Sequence, residues 1–154
     1  MISPLQLIDY TAETLRYERL DPEPVPKDME IGVGLGFEID TAVEEERNAQ
    51  RLTLSVHFND KEDDIPKEIA PHIAHRGQVR VQGWVRWINK DMSERDDAQR
   101  LLLTNGLSML YGIARVHTAQ LTAGRTSARL LLPSVSFQPM VDEWMEVNGD
   151  DSDA

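Results

Sequence analysis

Three stretches before residue 90, roughly residues 31–39, 52–58 and 79–87, alternate between apolar and polar or glycine positions, as strands with one buried face do. Residues 5–20 precede them as an extended segment in which Leu15 and Tyr17 are spaced by two. In residues 31–39 the large apolar side chains are separated mostly by glycine, so the other face of this stretch is nearly bare and can be approached closely. Alternating strands in succession predict an antiparallel sheet with one buried face.

The segments between these strands carry turn and loop signals. Three prolines at alternate positions in residues 22–26 cannot form a helix and predict a stiff extended connector. The acidic residues 44–48 predict the turn between the second and third strands, and residues 59–66 predict a charged loop. Residues 65–75 fit either a short helix or an irregular crossing.

The hydrophobic period then changes from two to between three and four, which defines one face of a long helix. The residues on this face are Leu103, Leu107, Leu110, Ala114, His117 and Leu121. Ser93, with Asp96 three residues later, predicts the N-terminal cap. The Asn105–Gly106 pair weakens the first turns and offers a later start for the packed helix. Gly124 predicts the C-terminal cap.

The chain closes with an apolar crossing and a shorter helix. Pro133 disfavours helix at the residue before it, so Leu130–Leu132 predict an extended crossing. Residues 139–147 predict an amphipathic helix, and residues 148–154 a disordered acidic tail after a single domain of residues 1–147. The predicted fold class is therefore α+β: a four-stranded antiparallel sheet, a long helix, an apolar crossing loop and a short C-terminal helix.

Composition changes this picture mainly by exclusion. The 154 residues carry a formal net charge of −11, the opposite of what nucleic acids or anionic membranes attract. The excess of acidic side chains either attracts a basic partner or only aids solubility. The absence of cysteine excludes disulfides, thiolate nucleophiles and cysteine-based zinc sites. The N-terminus lacks a signal-peptide pattern and no apolar run approaches the ~20 residues of a membrane span, so we expect a cytoplasmic protein without membrane insertion.

The polar residues do not form a recognisable catalytic or metal-binding pattern. The glycine run at Gly32–Gly36 resembles a phosphate loop, but such a loop needs a helix directly after it. His72 and His75 could offer two metal ligands, yet nothing nearby completes a site. His117 lies on the apolar helix face and is expected to be a hydrogen-bonded core or interface residue. We therefore predict no catalytic residue, no cofactor and no metal.

Bulky apolar side chains are concentrated in the crossing and at the start of the last helix. They are Leu130, Leu131, Leu132, Val135, Phe137, Met140 and Trp144. Apolar patches within reach of solvent mark interaction surfaces, and methionine adapts to varied partners. The alternative is that these residues only cover the sheet.

Residues 105–140 hold two motifs in order, Tyr111-Gly112-Ile113-Ala114-Arg115 and Leu132-Pro133-Ser134-Val135-Ser136-Phe137. This order resembles the SecB family of protein-export chaperones. That family has a Tyr-Ala-Arg-like element on its long helix, a turn with glycine, and a run like Leu-x-Leu-Ala-Pro-Val-Asn-Phe before a closing helix. Here the first motif is looser, the proline is shifted, and Ser136 stands where asparagine is usual. From residue 5 to 90 the likeness is architectural only.

The resemblance implies an ATP-independent holdase, a non-enzymatic dimer of dimers that binds unfolded client polypeptides and passes them to the SecA export motor. With only 6% aromatic residues, completing the core by pairing with copies is also plausible on composition alone. The implied client-binding residues, in grooves floored by the crossing and the last helix, are Leu132, Val135, Phe137, Met140 and Trp144. Glu13 and Glu18 are implied to face the motor, although Arg80 and Arg86 make the last strand's polar face basic. Divergent SecB-like proteins instead guard an antitoxin of a toxin–antitoxin pair, so the client is either a preprotein or an antitoxin.

An enzymatic alternative is a thioesterase of the hotdog form, in which a curved antiparallel sheet wraps one long helix. Its acid–base groups would be Asp97, Glu94 or His117. That topology places the long helix between the first and second strands, whereas here the helical pattern follows every strong strand. The order of elements therefore disfavours it.

Overall fold

The computed structural model describes residues 4–61, 63, 65–123 and 130–149. Its strands are β1 (Leu5–Arg19), β2 (Leu35–Glu44), β3 (Ala49–Phe58) and β4 (His75–Trp87). Its helices are α1 (Lys90–Ser93), α2 (Ala98–Leu121) and α3 (Gln138–Gly149), with a short 3-10 turn at Ala70–His72. The strands form one sheet in the order β1-β4-β3-β2, and every neighbouring pair is antiparallel. The predicted α+β fold class is confirmed.

The second strand begins later than its alternating pattern predicted. Residues 31–34 are not strand, and β2 starts at Leu35 and runs on to Glu44, opposite Ala49. The reason lies in Asn59, whose backbone φ of 52° ends β3. Its side-chain Oδ1 accepts a hydrogen bond from the Gly34 backbone at 2.9 Å and its amide donates to the His75 carbonyl at 3.0 Å. These bonds replace the sheet ladder at that point.

The core lies between the sheet and α2, and glycines allow the helix to approach the strands closely. The largest fully buried side chains include Leu52, Leu54, Val56, Phe58, Val79, Val81, Val85, Leu103, Leu107 and Leu110. A Cβ atom added at Gly83 of β4 would lie 2.6 Å from Leu110 Cδ2. One added at Gly106 of α2 would collide with Leu52. The Asn105–Gly106 pair therefore does not mark the start of the helix, which begins at Ala98, but a point where the helix lies close to Leu52 of β3.

The predicted N-terminal cap of the long helix is wrong. Asn89 caps the short α1 instead, its Oδ1 accepting from the Asp91 backbone at 2.9 Å, and Ser93 is the last residue of α1. The long helix begins after Asp97, whose carboxylate binds Arg95 through two hydrogen bonds rather than capping the helix. The predicted cap at Gly124 lies outside the described residues.

The last helix extends from Gln138 to Gly149, two residues beyond the predicted end at Val147. The Val141 amide donates to the Phe137 carbonyl at 2.9 Å, so the crossing leads directly into the first turn. Within the described ranges, no helix is long and apolar enough to cross a membrane. The predicted tail lies outside these ranges from residue 150 onward.

Candidate functional site

The apolar crossing, residues 130–137, has no regular secondary structure and is held by side chains of α2 and of Thr122, the residue that follows the helix. The Tyr111 hydroxyl donates to the Pro133 carbonyl at 2.5 Å, and Arg115 Nε donates to the Leu132 carbonyl at 3.0 Å. Thr122 Oγ1 accepts from the Leu130 amide at 2.8 Å. The acceptors and donors on the crossing are all backbone atoms, so α2 fixes the path of a segment that makes no ladder of its own.

An aromatic cluster holds the end of the crossing against the sheet. Phe37 of β2, Tyr111 of α2 and Phe137 pack edge to face, with ring centroids 5.5–5.8 Å apart. Tyr111 is 4% exposed. This burial raises the pKa of its hydroxyl above the ordinary value of 10.0, because water no longer stabilises the phenolate, and the nearby Arg115 charge only partly offsets the effect.

The residues predicted to bind a client separate into two groups. Leu132 and Phe137 are each 1% exposed and belong to the core of the single chain, because the anchored crossing turns both side chains inward. Val135, Met140 and Trp144 are partly buried and pack against the outside of that core. In this structure the first pair is closed to solvent, with Phe137 packed against Phe37, and the other three remain partly accessible.

A cleft of about 270 Å³ opens between β2 and α3. Its lining is Phe37, Ile39, Met140, Glu143, Trp144, Val147 and Asn148. The strand supplies two apolar side chains, the helix supplies three, and Glu143 is the only charged residue among the described residues of the lining. β2 is also an edge strand, so one row of its backbone donors and acceptors faces away from β3. The cleft can therefore accommodate an extended segment with apolar side chains, and Glu143 favours a positive charge on that segment.

A second apolar surface lies between β1 and α2 and was not predicted from the sequence. It forms a cleft of about 530 Å³ whose lining includes Tyr10, Met109, Ile113 and Val116. His117 is part of its lining and is hydrogen bonded to Thr14 Oγ1 at 2.7 Å, in keeping with the expected hydrogen-bonded residue. Bulges in β1 between Leu7 and Asp9 and between Thr14 and Arg16 shift its alternation, which obscured this face in the sequence.

The acidic residues predicted to meet a motor lie on the face of the sheet that points away from α2. Glu13 stands opposite Arg80 in the register, and Glu18 lies 4.0 Å from Arg76. The arrangement is one of acids beside arginines rather than a continuous acidic patch. Whether a motor binds there stays a prediction.

The remaining candidates have structural partners. His72 is hydrogen bonded to the Glu23 carbonyl at 3.1 Å, and His75 to the Tyr17 hydroxyl at 2.9 Å, so the two histidines face different neighbours. The glycine run leads into β2 rather than a helix. The long helix α2 follows all four strands, unlike the hotdog order, in which it follows the first.

Comparison with known proteins adds a fold relative. No family model and no curated protein match the sequence. Among solved structures, the chain is similar to the Mycobacterium tuberculosis Rv1957 SecB-like chaperone, solved in complex with a ChAD peptide from the Rv1956 HigA1 antitoxin. The TM-score is 0.51 over 88% of this chain and 90% of that chain. The fold is SecB-like. At 17% sequence identity the likeness establishes the fold alone.

Proposed function

We propose that this protein is an ATP-independent holdase chaperone that binds extended segments of unfolded polypeptide in the cleft between β2 and α3. The observation that carries the proposal is the cleft itself, in which an edge strand and a helix present apolar side chains to solvent. An apolar groove beside a free strand edge suits a segment that offers side chains to the groove and backbone to the strand. The SecB-like fold relative, solved with a bound antitoxin peptide, supports a peptide-binding role.

The second apolar surface, between β1 and α2, is proposed to be covered by another copy of the chain. Tyr10 and Val116 expose more than half of their surface there, at 51% and 59%. A homo-oligomer, with a dimer of dimers as the expected form, would bury these side chains. The client cleft would stay open, because it lies beside β2, at the other edge of the sheet from β1. Native mass measured on the purified protein tests this assembly.

Two clients fit the proposed chaperone. A preprotein on its way to the SecA motor requires a docking surface, for which Glu13 and Glu18 are the candidates, with Arg80 and Arg76 beside them. An antitoxin requires only the cleft. Capture by immobilised SecA that is lost in a Glu13→Gln, Glu18→Gln double variant would support the export role, and stabilisation of a co-expressed antitoxin without SecA binding would support the other.

The cleft offers a matched pair of variants for testing client binding. Val147 lines the cleft and is 70% exposed, whereas Val43 lies outside it and is 73% exposed. Val147→Ser removes apolar contact area and is expected to lower client affinity about fivefold, that is by about 1 kcal/mol. Val43→Ser, equal in chemistry and exposure, is expected to leave the affinity unchanged.

The assay dilutes a model client from guanidinium chloride and follows its aggregation by light scattering without nucleotide. Wild-type protein at near-stoichiometric amounts is expected to suppress scattering, Trp144→Ala to suppress it least, and Val43→Ser to match the wild type. Unchanged client aggregation with the wild-type protein would contradict the holdase function. Equal effects of Val147→Ser and Val43→Ser would contradict the cleft as its site.

A further inference from the structure

The face of the sheet that points away from α2 has an ordered charge pattern. Its outer strands carry most of the acids, with Asp9, Glu13 and Glu18 on β1 and Glu38, Asp40 and Glu44 on β2. β1 also places Arg16 on this face, opposite Gln78, where it is paired with Asp60. Its inner strands carry arginines, with Arg51 on β3 and Arg76, Arg80 and Arg86 on β4. In a chain with a net charge of −11, four arginines on the two inner strands of one face are a local exception.

One row across the strands shows the pattern most clearly. The register places Glu13 of β1 opposite Arg80 of β4, Arg80 opposite Ser55 of β3, and Ser55 opposite Glu38 of β2. Neighbouring strands lie about 4.8 Å apart, so the two glutamate positions are about 14 Å apart with the arginine and the serine between them. The row forms part of a depression of about 400 Å³, whose polar lining also includes Thr53 and Gln82.

Arg80 differs from Arg51 and Arg76 on this face in lacking an acidic partner among the described residues. Arg51 binds Glu44 at 3.2 Å and Arg76 lies 4.0 Å from Glu18. Arg80 makes only a long contact, 3.5 Å from its Nε to Ser55 Oγ, and in the part of the chain that the structure describes no carboxylate lies within 4.0 Å of its guanidinium. Its remaining donors are available to a carboxylate from outside, which a guanidinium binds in a two-pronged geometry.

We propose that this depression binds an extended segment of a partner protein with the pattern basic-x-acidic-x-basic, lying across the strands. Alternate residues of an extended segment face the same side, and residues four apart are separated by about 13 Å. This distance matches the span from Glu13 to Glu38. The two basic side chains then meet these glutamates, and the acidic one reaches Arg80. A purely basic segment would place a cation on Arg80, and a purely acidic one would place anions on both glutamates, so the face discriminates against both.

The proposal is tested with a fluorescent, capped peptide, Thr-Thr-Lys-Thr-Glu-Thr-Lys-Thr-Thr, titrated into the full-length protein at low ionic strength. Binding is expected to weaken as salt is added, and to weaken about tenfold or more in Arg80→Gln, since a hydrogen-bonded charge pair is lost. Arg86→Gln is the control, because Arg86 lies on the same face of the same strand, outside the depression, with its Nε donating to Gln6 Oε1 at 3.4 Å. It is expected to bind the peptide as the wild type does.

A charge exchange separates specific recognition from general attraction. Arg80→Glu is expected to lose affinity for the probe peptide. It is expected to gain affinity for the peptide in which Lys replaces the central Glu. Equal binding of the two peptides by the wild type, equal effects of Arg80→Gln and Arg86→Gln, or absence of binding would each overturn the proposal. A lower native mass for Arg80→Gln would also overturn it, by assigning the face to a second copy of the chain. Suppression of client aggregation by Arg80→Gln is expected to equal that of the wild type, because Arg80 is not part of the β2–α3 cleft.

Discussion

The tyrosine that holds the crossing has two separable contacts, and a single substitution distinguishes them. The ring of Tyr111 packs edge to face against Phe37 and Phe137, and its hydroxyl donates a 2.5 Å hydrogen bond to the Pro133 carbonyl. Tyr111→Phe keeps the ring and removes the hydroxyl. Because Pro133 is exposed, water can take over its carbonyl in the variant.

The expected loss follows from what the hydroxyl contributes in net terms. A hydrogen bond within a folded protein contributes about 0.5–1.5 kcal/mol after the exchange with water is counted, so Tyr111→Phe is expected to lower the free energy of unfolding by about 1 kcal/mol at neutral pH. Tyr111→Leu also removes two aromatic contacts, each worth about 0.5–1.5 kcal/mol, and is expected to lose at least twice as much.

The raised pKa of Tyr111 adds a dependence on pH with a definite sign. In the unfolded chain the hydroxyl ionises around 10.0, whereas in the folded protein burial holds it protonated to higher pH. Above pH 10.0 the folded state therefore binds more protons than the unfolded state, and stability falls as pH rises through that range. Tyr111→Phe lacks this group, so the difference between wild type and variant is expected to be constant below that pH and to shrink above it.

Urea unfolding at one fixed protein concentration, followed by tryptophan fluorescence at pH values from neutral to alkaline, measures both effects. The midpoint is expected to fall while the slope with urea stays the same, since the surface exposed on unfolding does not change. A loss above about 3 kcal/mol, typical of a core cavity, would mean that the ring itself has moved and would refute the separation of the two contacts. A difference that grows at alkaline pH would refute the assigned sign.

Three further substitutions test the packing of α2 and its bond to the crossing. Gly106→Ala forces a Cβ against Leu52 in the core and is expected to cost about 1–2 kcal/mol of stability, whereas Gly112→Ala meets no atom within 4 Å and is expected to gain about 0.5–1 kcal/mol from helix propensity, both measured by urea unfolding. Thr122→Val leaves the Leu130 amide without its acceptor and is expected to cost about 1–3 kcal/mol, with Thr122→Ser as the control that restores most of it.

The sequence predicted the elements of the fold well where a pattern repeats locally. Period-two alternation located β3 and β4, and the spacing of three and four located the buried face of α2. The sequence predicted poorly those strand boundaries and irregularities that depend on residues far away along the chain. The start of β2 depends on Asn59, which lies a full hairpin away, and the bulges that shift β1 arise from its pairing with β4.

The candidate site could be predicted in part for the same reason. The apolar crossing and its helix are visible as composition, but burial separates Leu132 and Phe137 from the side chains that stay accessible. Sequence could not supply this division, because it depends on which way an irregular segment is turned. It also could not place Val147 and Phe37 on one cleft, since they come from opposite ends of the chain.

The hydrogen bonds that hold the crossing fix the course of its backbone without involving its own side chains. The anchors from Tyr111, Arg115 and Thr122 all reach backbone atoms of the crossing, so the route of this segment depends on α2 and not on the identity of its exposed side chains. Leu131, which is 68% exposed, can then change in size or polarity with little effect on the fold, because it takes no part in these bonds. Val135 is constrained further, since it packs against the core. The lining of the proposed client cleft lies on β2 and α3, so its side chains can vary while the bonds to α2 keep the crossing on its path.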